Sequence, residues 1–131
     1  VTPVIYYLSH PQVVVDPKMP VPDWGLSDIG RARARAGADA GWTIGITRIV
    51  SSAERKAIET AEIFARPRGL LAEVRPKMHE NDRSATGYLA PPEFEALADA
   101  FFAAPFQSVR GWERAIDAQS RIVDEIKAIV E

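Results

Sequence analysis

Apolar residues in this chain follow two rhythms, one continuous and one helical, and the two alternate along its length. Val4-Ile5-Tyr6-Tyr7-Leu8 is a continuous run of β-formers that stops at Ser9-His10-Pro11. Such a run, ended by a polar residue and a proline, predicts a buried strand. Thr47-Arg48-Ile49-Val50 and Leu70-Leu71-Ala72-Glu73-Val74 predict two more strands, the last ending before Pro76. Between and after them the spacing turns helical. Ser27 and Asp28 suit a helix start, and the alanine-rich stretch from Ala32 to Ala40 leads to Gly41. Ser51-Ser52-Ala53-Glu54 reads as a capping box opening a second helix, with Ala57, Ile58, Ala61 and Phe64 on one face and Pro67 and Gly69 beyond its end. Pro92 opens a third helix with a stripe of Phe94, Leu97, Ala98, Phe101 and Phe102, stopped by Pro105. A fourth, from Trp112 onward, carries Ile116, Val123, Ile126, Ile129 and Val130. Gln12 to Gly25 and Lys77 to Leu89 read as loops.

Strand, helix, strand, helix, strand predicts an α/β fold with a mainly parallel sheet. Parallel sheets are covered on both faces and rarely stop at three strands. The expectation is therefore one domain over residues 1–131 whose C-terminal strands are missing from this chain. Such a piece is expected to be weakly active or inactive by itself.

Composition narrows the partner. At 131 residues, 47% hydrophobic and 26% charged, the chain has the make-up of a globular domain. A formal net charge of −2 supplies no basic field for nucleic acid and no polybasic anchor for a membrane, so a small molecule is the expected partner. With no cysteine there is no disulfide framework and no thiolate metal site. The start at Val1-Thr2-Pro3 shows no leader pattern, and the expected location is cytoplasmic.

The chemistry is expected where strands end. His10 follows the first strand, and in an open α/β sheet ligands bind at the carboxyl edge, so it reads as a nucleophile or an acid/base group. Ser51 and Ser52 emerge at the same edge if the first two strands are parallel. Arg55 lies in the first turn of the second helix, against the helix dipole. Either Glu54 neutralises it on the surface, or an anion such as phosphate sits there. A histidine facing phosphate can attack phosphorus, and Glu80 in the following loop can protonate the leaving oxygen if its pKa is raised. The alternative for Glu80 is a plain ion pair with Arg83.

The strand ending in a histidine triplet, Gly25-Leu26-Ser27-Asp28-Ile29-Gly30-Arg31-Ala32, and the Ser-Ser-x-x-Arg-x-x-x-x-Thr-Ala pattern from Ser51 to Ala61 together resemble the histidine phosphatase superfamily, the phosphoglycerate mutase-like proteins. The resemblance implies a three-layer α/β/α domain that turns over phosphomonoesters through a phosphohistidine, without metal or cofactor. It implies that His10 is the nucleophile, Arg55 a phosphate-binding arginine and Glu80 the acid, with Gln12 at a position that is often glutamate or glutamine in the family. Ser9 stands where the family carries another phosphate-binding arginine and Pro11 where it has glycine, so a hydroxyl replaces a charge in the cradle. The family's second phosphate-binding histidine falls beyond Glu131, and His79 is not that residue by order. Two alternatives stand beside phosphatase action: a non-catalytic anion-binding module on the same scaffold, and a mutase. Arg83 is the residue that would meet a second anionic substrate group.

Overall fold

The structure is a computed structural model that describes residues 3–131. Six main elements follow in order: α1 (Asp28–Ala38), β1 (Val50–Ser51), α2 (Arg55–Ala65), β2 (Glu73–Val74), α3 (Pro91–Ala103) and α4 (Ala115–Val130). The fold is α/β with a small parallel sheet, and the helices and the second and third expected strands follow in the expected order. β1 and β2 pair in parallel, Val50 opposite Glu73 and Ser51 opposite Val74. The α2 crossover between them is what a parallel connection requires.

Val4 to Leu8 does not form the expected strand. Among the described residues no backbone hydrogen bond ties the segment to a neighbour, and its apolar side chains remain exposed, Val4 at 71% and Tyr7 at 67%. β propensity expresses how well a side chain fits a half-buried pleated surface, and it yields a strand only where a partner ladder is present. Val1 and Thr2, read as the lead into that strand, lie outside the described residues. The segment is nonetheless anchored at Tyr6 and just beyond His10. Tyr6 packs on Trp42 with ring centroids 4.9 Å apart, and Trp42 packs on Phe64 of α2. After His10 the chain is fixed by Ser27 N–H donating to the Gln12 carbonyl at 3.0 Å and Val14 N–H to the Gly25 carbonyl at 2.9 Å.

Two apolar clusters organise the rest. Ala34 and Ala38 of α1 bury against Phe64 of α2, with Ile49 and Ile63 at the margin. Leu97 and Phe101 of α3 bury against Trp112, whose indole N–H donates to the Thr86 hydroxyl at 2.9 Å. The expected fourth helix starts three residues later than Trp112, at Ala115, because Trp112 is drawn into this cluster. No helix among the described residues is long and apolar enough to cross a membrane.

Ser27 caps α1 as expected, its hydroxyl accepting from Gly30 N–H at 3.0 Å. The expected Ser51–Glu54 capping box does not form. Ser51 belongs to β1 and donates to the Ser52 carbonyl, while Glu54 precedes the helix and turns its carboxylate elsewhere.

Gly30 is where the backbone of α1 meets the chain leaving His10. A Cβ at Gly30 would lie 2.0 Å from the Gln12 carbonyl oxygen. Gly30→Ala is expected to push the two segments apart and cost about 1–3 kcal/mol, as overpacking does. A urea midpoint unchanged from the parent chain would contradict this close approach.

Candidate active site

A cavity of about 320 Å³ opens where β1 runs out, and Ser9, His10, Ser51 and Ser52 line it together. Parallel pairing with β2 aims the ends of both strands at this edge, so the loop after β2 delivers Glu80 to the same cavity. The ring Nδ1 of His10 lies 2.7 Å from the Pro11 carbonyl oxygen. A carbonyl only accepts, so Nδ1 carries a proton, and in the neutral ring the lone pair is then on Nε2. That tautomer has a nucleophilic nitrogen.

The cation of the cavity is Lys56, a residue the sequence pattern did not single out. It is 4% exposed, with Nζ 3.3 Å from Glu54 Oε2 and 2.5 Å from Glu80 Oε1. Lysine is almost never buried unless paired, and here two carboxylates share it. Glu54 also accepts from Glu80 N–H at 3.0 Å, so the strand-to-helix turn and the later loop are tied directly. Burial pushes the Glu80 carboxyl up. The Lys56 hydrogen bond and charge, with Arg83 and His10 adding theirs, outweigh it and hold Glu80 below its ordinary value of 4.5. The raised pKa expected of an acid is therefore not the resting condition of Glu80.

Arg55 is not brought into this cavity. It is exposed, lies over Gly25, where an added Cβ would come within 2.9 Å of its Cζ, and pairs with Glu59 at 3.5 Å. Arg55 and Lys56 are successive helical residues, so they point about 100° apart, and only one of them can face the sheet edge. Gln12 is also absent from the cavity lining. Its side-chain oxygen accepts from the Ser27 hydroxyl at 2.8 Å, which places it in the α1 cap. Arg83 does pair with Glu80, at 3.3 Å, and its guanidinium lies over Phe94 at 5.1 Å and Trp112 at 6.0 Å.

Behind the loop, Arg121 of α4 donates to the carbonyls of Lys77 at 2.7 Å and His79 at 2.6 Å, and pairs with Glu113 at 2.6 Å. It is the residue that fixes the backbone carrying Glu80. Nothing in a helical stripe of apolar residues announces it.

The sequence profile described as histidine phosphatase superfamily (branch 1) matches residues 18–131. The match begins after His10, so it rests on the rest of the chain. No curated protein matches. A mycobacterial glucosyl-3-phosphoglycerate phosphatase in complex with inorganic phosphate is similar at 25% identity and a TM-score of 0.71, covering 92% of this chain and 59% of that one. A structure of mycobacterial glucosyl-3-phosphoglycerate phosphatase with VO3 gives 25%, a TM-score of 0.77, and 92% and 64% coverage. Bacillus stearothermophilus YhfR, at 22% identity and a TM-score of 0.73 over 92% and 64%, shares the fold. The chain thus spans between 59% and 64% of the length of these three structures.

Lys56→Met would leave Glu54 without a cation and Glu80 with Arg83 alone. A loss of about 3 kcal/mol is expected, the low end for a broken buried pair because Glu80 is partly open to water. The pH dependence carries a sign. Because the folded pKa of Glu80 is depressed, its contribution is complete above the ordinary 4.5 and is lost as pH falls through the folded value. Urea midpoints measured down the acid limb should fall less steeply in Lys56→Met than in the parent. An identical acid limb would mean that Lys56 does not hold Glu80.

Proposed function

The chain belongs to the histidine phosphatase superfamily, branch 1, and on that premise we propose that its first cavity hydrolyses phosphomonoesters through a phosphohistidine on His10. The observation that carries this reading is the convergence of His10, Lys56, Ser51, Ser52 and Glu80 on one cavity at the carboxyl edge of a parallel pair. Phosphate or vanadate in the two mycobacterial phosphatase structures agrees with a small phosphorylated ligand.

In this reading Nε2 of His10 attacks phosphorus while the bond to the ester oxygen breaks, and the departing alkoxide takes a proton from Glu80. Water then attacks the phosphohistidine. It gives its proton to Glu80, and inorganic phosphate leaves with His10 restored. Glu80 must hold a proton for the first step, although Lys56 keeps it ionised at rest. A phosphate dianion in the cavity competes for the Lys56 ammonium and adds negative charge beside Glu80, and both effects raise the Glu80 pKa. Lys56 takes the part that sequence spacing had given to Arg55, and Ser9 offers a hydroxyl.

One observation favours a second reading, an anion-binding module without turnover. Among the described residues the one lysine or arginine lining the cavity is already paired with two carboxylates, and Ser9 adds no charge to it.

Incubation with a phosphate-labelled phosphomonoester should leave an acid-labile label that His10→Ala abolishes. Absence of label with intact vanadate binding would select the binding module. For the cradle itself, Lys56→Gln is expected to weaken phosphate binding about tenfold or more, the loss of a charge-assisted hydrogen bond. Arg55→Gln should change it less than about twofold, since an exposed pair contributes little. Calorimetric titration with inorganic phosphate separates the two, and a larger effect at Arg55 would return the role to that residue.

A further inference from the structure

A second cavity of about 610 Å³ adjoins the first and shares Glu54 and Glu80 with it. We infer that this cavity receives the leaving alcohol of the substrate, and that this alcohol is uncharged and largely apolar, with no second anionic group. The inference rests on the phosphohistidine reading, because it takes the phosphorus to sit beside His10.

Position gives the first part. An ester held between His10 and Glu80 has its departing oxygen on the Glu80 side, and the space beyond Glu80 is this cavity. Its size falls within the range of small-molecule sites. Its two walls are tied together, since Trp24 packs on Tyr88 with ring centroids 5.6 Å apart and Trp24 N–H donates to the carbonyls of Asp16 and Met19. The cavity is thus preformed by both loops.

Charge gives the second part. One wall is Pro20, Val21, Pro22 and Ala53, which offer no cation. The opposite wall, residues 79–84, together with Glu54, presents three carboxylates, Glu54, Glu80 and Asp82, against one guanidinium, Arg83, and the titratable ring of His79. Arg83 is already engaged by Glu80 and by the faces of Phe94 and Trp112. Arg121, behind the wall, is engaged by Glu113 and the loop carbonyls. Asp82 accepts from Ser84 N–H at 2.8 Å and stays ionised. Lys56, held between Glu54 and Glu80, and Arg83 offset two of the three carboxylates, so a carboxylate or second phosphate on the alcohol would meet the remaining negative charge, carried by Asp82, and no free cation. Arg83 is not the receptor for a second anion that its sequence position suggested, and a mutase needs such a receptor.

Non-hydrolysable probes test this without requiring turnover. At about pH 8, calorimetry should find benzylphosphonate bound about tenfold or more tighter than 3-phosphonopropionate, the discrimination that like-charge contact produces. Val21→Trp should shrink that ratio by filling the apolar wall, and Asp82→Asn should raise the affinity of the carboxylate probe several-fold. Equal or tighter binding of 3-phosphonopropionate would overturn the inference while leaving the first cavity a phosphate site. Failure of vanadate and both phosphonates to bind would instead overturn the reading of the first cavity, and this inference with it.

Discussion

A lysine ammonium shut away from water between two glutamates holds the molecule together at the edge where β1 ends. Lys56 comes from α2, Glu54 from the turn before it, and Glu80 from the loop after β2. The α1/α2 cluster around Phe64 and the α3 cluster around Trp112 form separate apolar cores. The polar chain Glu54, Lys56, Glu80 and Arg83 runs from one to the other, ending where Arg83 lies over Trp112. Burying a charge costs several kcal/mol unless it is paired and hydrogen-bonded, so these residues constrain one another. Removing Lys56 would leave Glu54 without a cation.

The same arrangement sets how the cavity deals with an anion. Lys56 is neutralised by its own carboxylates, so in the proposed reading the site offers phosphate no free ammonium at rest, and binding would be an exchange of Glu80 for phosphate at Nζ. An exchange of this kind links anion capture to proton uptake, because the displaced carboxylate regains its ordinary tendency to protonate. A site built on a fixed guanidinium fork lacks that coupling, since arginine keeps its charge and presents several donors at once.

Much of this was legible in the residues. Ser27 as a cap, Pro92 near the start of α3 and the Phe64 face of α2 act locally, through the caps and periodicities that local sequence controls, and each was found where expected. The misreadings are those in which a local pattern competed with a distant partner. Ser51 to Glu54 has the letters of a capping box, yet Glu54 is drawn to Lys56 and to the backbone of Glu80, a residue 26 positions away. Arg55 matched a motif, yet a step of one residue turns a side chain about 100° around the helix, and Lys56 faces the cavity. Gln12 was assigned to the site by likeness and serves the α1 cap. Val4 to Leu8 has strand composition, but a strand is made by its partner ladder.

By itself, then, the sequence determined the order of the four helices and of β1 and β2, the parallel α/β class, and Ser51, Ser52 and Glu80 at or beyond the carboxyl ends of those strands, because periodicity, capping and helix breakers act over a few neighbouring residues. The tertiary structure alone decided which cation enters the cavity, that Glu80 rests ionised, that Arg121 fixes its loop, and that a second, acidic cavity adjoins the first. Those depend on which charges meet across elements far apart in the chain, where burial strengthens every pairing and forbids an unpaired one.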